Sequence, residues 1–203
     1  MLFKGAMVFQ DAKLHKKDVL ISNGLIKSIA PSLECPEAEL IDATDCVLTP
    51  GFVDIHVHFR EPGFEYKETI ETGSKAAARG GYTTVCTMPN LNPVPDSPEH
   101  IGQQLEAIQN TSVIEVIPYA AITKGRAGKE LCDFAALKGA CFALTDDGSG
   151  VQSDEMMLAA MKRAAQLDMM IAAHCEDNSL LCGGYIHNGQ YCQEHGHKGI
   201  CSE

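Results

Sequence analysis

The sequence predicts an α/β fold, a parallel sheet covered on both faces, preceded by a small all-β module. Three observations point there. Through residue 50 the chain reads as short strands joined by turn chemistry, with no helical period. From residue 51 the rhythm becomes strand, loop, helix, repeated until the fifth strand. Strands that alternate with helices of that length require right-handed crossovers, and therefore parallel pairing.

In the β module, residues 18–22 and 25–29 flank Asn23-Gly24, the dipeptide that best supplies two positive φ angles to a tight hairpin. Residues 31–38 form a loop with two prolines. A module this short cannot bury a two-sided core unaided. The stretch Gly51 to Phe59 is the first strand of the α/β region, and a helix is expected over 66–78, stopped by Gly80-Gly81. A β-branched strand over 82–88 follows, then a helix from a Ser97 cap through 109 and a strand over 113–120. A third helix is expected over 130–138, a fourth strand over 140–145, and a fourth helix capped by Ser153 or Asp154. The buried stripe of that helix should be Met156, Met157, Ala160, Met161 and Ala164. Residues 169–173 make the fifth strand. The stretch 182–203 has neither period and reads as a long loop.

The 203 residues suffice for one sizeable core or a core with an appendage, and 45% hydrophobic with 21% charged residues is ordinary for a folded domain. A net charge of -11 disfavours nucleic acid and anionic membrane as partners. An anionic small substrate stays open, because a metal and one arginine can reverse the local potential. No apolar run approaches a membrane span and no leader is evident, so the cytoplasm is the expected location. Nine cysteines without a Cys-x-x-Cys pair read as free thiols rather than a disulfide framework or a zinc knot.

The chemistry centres on Gly51-Phe-Val-Asp-Ile-His-Val-His-Phe-Arg60. At the period of a strand, Asp54, His56 and His58 face one way, and Val53, Ile55, Val57 and Phe59 face the other, under helices. Packing alone does not ask for three polar groups on a buried face, since each one left unpartnered costs about 1–3 kcal/mol. A bound divalent cation would offset that cost. In a parallel sheet functional groups collect at the carboxyl ends of strands. Those ends carry His56 and His58, then Asn90, then Asp146-Asp147, then His174. Histidines with a carboxylate suit zinc, and a carboxylate can bridge two ions. Asp146 reads as a cap or turn aspartate and Asp147 as a ligand; Arg60 is placed to clamp a substrate carboxylate, with Asn90 beside it. His195 and His197 repeat the tandem spacing with no strand beneath them, and a metal role is not expected there.

Residues 49–63, Thr87-Met-Pro-Asn90, Thr145-Asp-Asp-Gly148 and Ala173-His-Cys-Glu-Asp177 together resemble the bacterial-type dihydroorotases of the amidohydrolase superfamily. The resemblance implies a (β/α)8 TIM-like barrel, about five strands of it present over 51–203, with residues 1–50 as the N-terminal part of a small β-sandwich. It also implies zinc, one or two ions in a binuclear site, and interconversion of N-carbamoyl-L-aspartate and L-dihydroorotate in pyrimidine synthesis. By motif, His56 and His58 correspond to ligands of one zinc, Asp147 to the shared carboxylate and His174 to a ligand of the second. His58, Arg60 and Asn90 correspond to substrate contacts. A homodimer is the assembly considered for the complete enzyme.

Two departures carry weight. Many relatives bridge their metals with a carbamylated lysine, and residues 140–145 contain none, so Asp147 must serve. The general base and another metal histidine are expected beyond residue 203, so the chain resembles the first half of a dihydroorotase and is expected to be inactive by itself. Its first and fifth strands should form exposed edges. The competing readings are a hydantoinase or allantoinase, and an inactive dihydroorotase-like scaffold; the presence of His56, His58, Asp147 and His174 weighs against the scaffold.

Overall fold

The computed structural model describes residues 1–200 and divides into two compact units, Met1–Gly51 and Phe52–Glu203. In the first, β1 (Leu2–Gln10), β2 (Lys13–Ser22), β3 (Leu25–Ala30), β4 (Leu40–Asp42) and β5 (Val47–Leu48) form one sheet. Its order is β3-β2-β1-β4, with β5 also on β1. The β2–β3 hairpin turns at Asn23 and Gly24, both left-handed at φ 52° and 71°, as the turn type requires. Strands β4 and β5 run parallel to β1, and Ala6, Val8, Val19 and Ala43 form the core.

Asp18 is the buried charge of this unit. Its carboxylate accepts from the Gly5 N–H at 2.8 Å and the Leu33 N–H at 2.9 Å, and Lys4 Nζ lies 3.1 Å away. The two amides first, and then Lys4, hold the carboxyl below its ordinary value. A depressed carboxyl stabilises the fold above its unfolded pKa and loses that contribution as pH falls through the folded one. Asp18→Asn is therefore expected to cost about 2 kcal/mol at neutral pH. Urea unfolding should show that gap at pH 7 and show it closing in acid.

In the second unit β6 (Phe52–Val57), β7 (Tyr82–Thr87) and β8 (Glu115–Pro118) form a parallel sheet in that order. Helix α1 (Ile70–Arg79) joins β6 to β7, and α2 (Pro98–Thr111) joins β7 to β8. Val85 packs with Ile70, Ile108 and Val116, whereas its neighbour Cys86 packs with Met88, Tyr119 and Ala143. Both faces of β7 are thus covered. The expected fourth and fifth strands reduce to single parallel bridges, Ala120 to Leu144 and Leu144 to Ile171. Hydrogen bonds from Thr145 N to the Ala120 carbonyl and from Leu144 N to the Met170 carbonyl, each 2.9 Å, keep the parallel order without a full ladder.

Other boundaries move for local reasons. Helix α1 starts at Ile70 rather than 66, because Thr69 and Thr72 form a reciprocal capping box. The third helix shrinks to α3 (Phe134–Leu137), capped by Asp133, because Leu131 bridges Thr123 and is held extended. Helix α4 (Asp154–Gln166) begins after Ser153 as expected, but Met161 faces outward at 55% exposure. The buried line there runs through Met157, Ala160, Ala164 and Leu167. The stretch read as loop contains β9 (Ile186–His187), α5 (Gln190–Glu194) and β10 (Gly199–Ile200), with β9 and β10 parallel. No helix among the described residues is long and apolar enough to cross a membrane.

Candidate metal centre

Strand β6 does not keep simple alternation. The β6–β7 register slips between Asp54 and Val57, a bulge that re-aims the side chains following it. Asp54 stays beside His58 and outside the metal-donor group. It lines a cleft against α1 with Gly73, Ala76 and Ala77, and its carboxylate accepts the His56 N–H at 3.0 Å. The apolar face is corrected as well, since Val53 and Ile55 are exposed while Val57 and Phe59 pack inward. Phe59 lies against Gly73, where any Cβ would strike its ring.

Past the bulge both histidines turn to Asp147. His56 Nε2 is 3.5 Å from Asp147 Oδ1 and His58 Nε2 is 3.8 Å from Oδ2. His174 brings Nδ1 to 3.4 Å from Oδ1, and its Nε2 lies 3.8 Å from Glu176 Oε1. Donor atoms of His56, His58 and Asp147 all fall within 4.8 Å of one another. His174 stands outside that tight group and meets it through Asp147. These separations exceed the roughly 2.7–3.2 Å of a hydrogen bond. They match the spacing of about 3.4 Å between two donors that each sit about 2.0–2.1 Å from a tetrahedral zinc. His58 Nδ1, buried and without a partner, is further sign of a site whose polar groups are not satisfied by protein alone. Burial first, and then the Arg60 charge, lower the His58 pKa against the pull of Asp147. The neutral imidazole, the form that can coordinate, is favoured. The donor set fits a divalent metal, and zinc in particular suits its nitrogen and oxygen ligands.

Asp147 is held from behind. Asn90, expected at the substrate, donates through Nδ2 to the Asp147 carbonyl at 2.7 Å and to Oδ2 at 3.1 Å. Arg126 Nη1 donates to the same carbonyl. Asp146 performs the structural task read for it, accepting from Ile122 N at 2.8 Å, Thr123 N at 3.1 Å and the Thr123 hydroxyl. Arg60, left-handed at φ 59°, lies near enough to lower the pKa of both His58 and Arg126. Sequence reasoning missed Arg126 and Glu176. The turn residues Gly125 and Gly128 around Arg126 were its one available signal, and proximity to His174 was that of Glu176. His195 and His197 are occupied by tyrosines: His195 stacks on Tyr191 at 4.1 Å, and His197 Nδ1 meets Tyr185 Oη at 2.6 Å.

A family model described as Dihydro-orotase-like matches residues 45–203. The dihydroorotase of Listeria monocytogenes serovar 1/2a is 55% identical over 201 residues, covering 98% of this chain and 47% of that protein. The dihydroorotase of Halalkalibacterium halodurans is 52% identical over 203 residues, 100% of this chain and 47% of its own. The chain thus spans about half the length of the curated relatives it matches. Among solved structures, an L-hydantoinase from Arthrobacter aurescens superposes with TM-score 0.79 at 19% identity, over 90% of this chain and 42% of that one. A D-hydantoinase from Thermus sp. does so with TM-score 0.71 at 27% identity, over 96% and 43%. The first of these speaks to the mixed α/β architecture alone. With four sequence motifs delivered to one cluster and a family match over most of the chain, these 203 residues belong to the dihydro-orotase-like family.

Proposed function

We propose that this chain supplies the metal-binding part of a zinc-dependent dihydroorotase, whose complete form interconverts N-carbamoyl-L-aspartate and L-dihydroorotate in pyrimidine synthesis. The observation that carries this reading is the convergence of His56, His58 and Asp147 donors within 4.8 Å, with His174 reaching the same carboxylate. In this reading the parallel run from β6 to Ile171 is five strands of an eight-fold barrel, and Met1–Gly51 is part of a small β-sandwich. The enzyme is cytoplasmic and its candidate assembly is a homodimer.

His56, His58, Asp147 and His174 would hold the zinc, one ion or two. Zinc bound there would supply Lewis acidity toward the amide carbonyl and the attacking water. The protein's own task is orientation. The Arg60 guanidinium pairs with the substrate carboxylate that takes no part in ring closure, as a planar fork suits a carboxylate. Arg60 has its left-handed backbone at the cluster's edge, a conformation that costs a non-glycine residue energy and often accompanies function. Asn90, whose Nδ2 holds Asp147, sits beside His58 and completes the substrate contacts in this reading. The 55% identity to a dihydroorotase outweighs the lower identity to hydantoinases in choosing the substrate class.

Elemental analysis of the 203-residue chain after dialysis against dilute zinc tests the reading directly. One or two equivalents are expected, falling in His56→Ala; none bound would sink it. A chain extended to the length of its relatives should then close N-carbamoyl-L-aspartate in preference to opening hydantoin or allantoin. The 203 residues alone should bind metal without turnover.

A further inference from the structure

We infer that Arg126 is a positioning residue of the metal site, fixing the main chain of Asp147 without occupying its carboxylate. This rests on the reading of Asp147 as a metal ligand. Arg126 Nη1 donates to the Asp147 carbonyl oxygen, not to the carboxylate. An arginine on the carboxylate would fix its direction but occupy its lone pairs. Here Oδ1 is left to face His56 and His174, while Oδ2 faces His58 and takes one bond from Asn90.

The arginine is itself tightly set. It lies in the turn Lys124–Arg126, where Gly125 and Arg126 are both left-handed at φ 59° and 54°. That turn is tied at three points. Asp96 Oδ2 accepts Gly125 N at 2.8 Å, Thr123 Oγ1 accepts Gly128 N at 2.8 Å, and Asp146 accepts the Ile122 and Thr123 amides. The adjacent aspartates thus share one construction: Asp146 anchors the turn, and the turn returns Arg126 to the backbone of Asp147. The guanidinium is half-buried with Nε unpartnered, and the Asp147 carbonyl together with the charges of Asp146 and Asp147 offsets the cost of burying it.

An arginine beside bound cations also repels them, so charge and geometry predict opposite signs for its removal. Zinc affinity of the 203-residue chain, measured by competition with a chromogenic chelator, separates them for Arg126→Met and Arg126→Lys. If positioning dominates, Arg126→Met weakens zinc by about 10–100-fold, the range typical of contacts behind a ligand. Arg126→Lys recovers part of that loss, and the cobalt(II) visible spectrum of Arg126→Met loses intensity while its metal-free melting stays near wild type. Unchanged or tighter zinc binding by Arg126→Met overturns the inference. Failure of the unsubstituted chain to bind zinc would instead remove the proposed function, a separate outcome. Should Arg126→Met not fold, Arg126→Gln takes its place in the titration, and wild-type affinity there is equally fatal.

Discussion

Asp147→Ala should abolish zinc uptake by this chain. Its carboxylate is the point through which His56, His58 and His174 all meet, at 3.5, 3.8 and 3.4 Å. Its removal leaves three imidazoles with no common partner. The loss should exceed the roughly 10–100-fold of an outer contact. It has a second signature in stability. Zinc at about 100 times its dissociation constant stabilises a folded chain by about 2.7 kcal/mol, and that increment should vanish in the variant. Asp147→Asn should keep the Asn90 contact as an acceptor, yet lose most of the affinity, because it is the charge that neutralises the ions. Calorimetric melting of both variants with and without zinc would decide the matter. A zinc-dependent shift equal to wild type in Asp147→Ala would remove Asp147 from the site, and with it the proposed hydrolase.

Asp146→Ala should be the most damaging single change to the second unit, through stability rather than chemistry. Asp146 is 1% exposed and receives two backbone amides and a hydroxyl from residues 122 and 123. Truncation leaves those donors buried without an acceptor, at about 1–3 kcal/mol each, so a net loss of about 3–5 kcal/mol is expected. Burial raises the Asp146 carboxyl above its ordinary value, in spite of Thr123, Ile122 and Arg126 pulling the other way. The ionised group is therefore costly to keep, and Asp146→Asn, which retains an acceptor without the charge, should cost much less than alanine. Urea unfolding at neutral pH compares the two. Equal, small losses would mean that the turn over 122–128 does not depend on this carboxylate. Because that turn carries Arg126, Asp146→Ala should also loosen the metal site, whereas Asp18→Asn, which acts in Met1–Gly51, should leave zinc binding alone.

Much of the arrangement was legible in the sequence because it depends on local rules. Asn23-Gly24 specifies its turn through φ, Ser97 and Ser153 cap their helices through a hydroxyl, and the rhythm from residue 51 dictates parallel pairing. The six polar residues at strand ends were legible too, since a polar side chain there has no packing reason to exist. Where sequence reading failed, a distant partner had overruled a local preference. Leu131 is drawn into a bridge with Thr123 and shortens a helix, and Ala160 and Ala164 set a buried line that leaves Met161 outside.

The sequence by itself determined the α/β rhythm, the imidazoles and carboxylates at the strand ends and the structural duty of Asp146, because residue chemistry and periodicity are written along the chain. Only the tertiary structure decided that both histidines meet Asp147 across a register slip in β6, and that Asn90 and Arg126 converge on one carbonyl. Register and convergence are set by which strands pair and which loops return, and those contacts join residues 21 to 91 positions apart. No spacing along the chain encodes them.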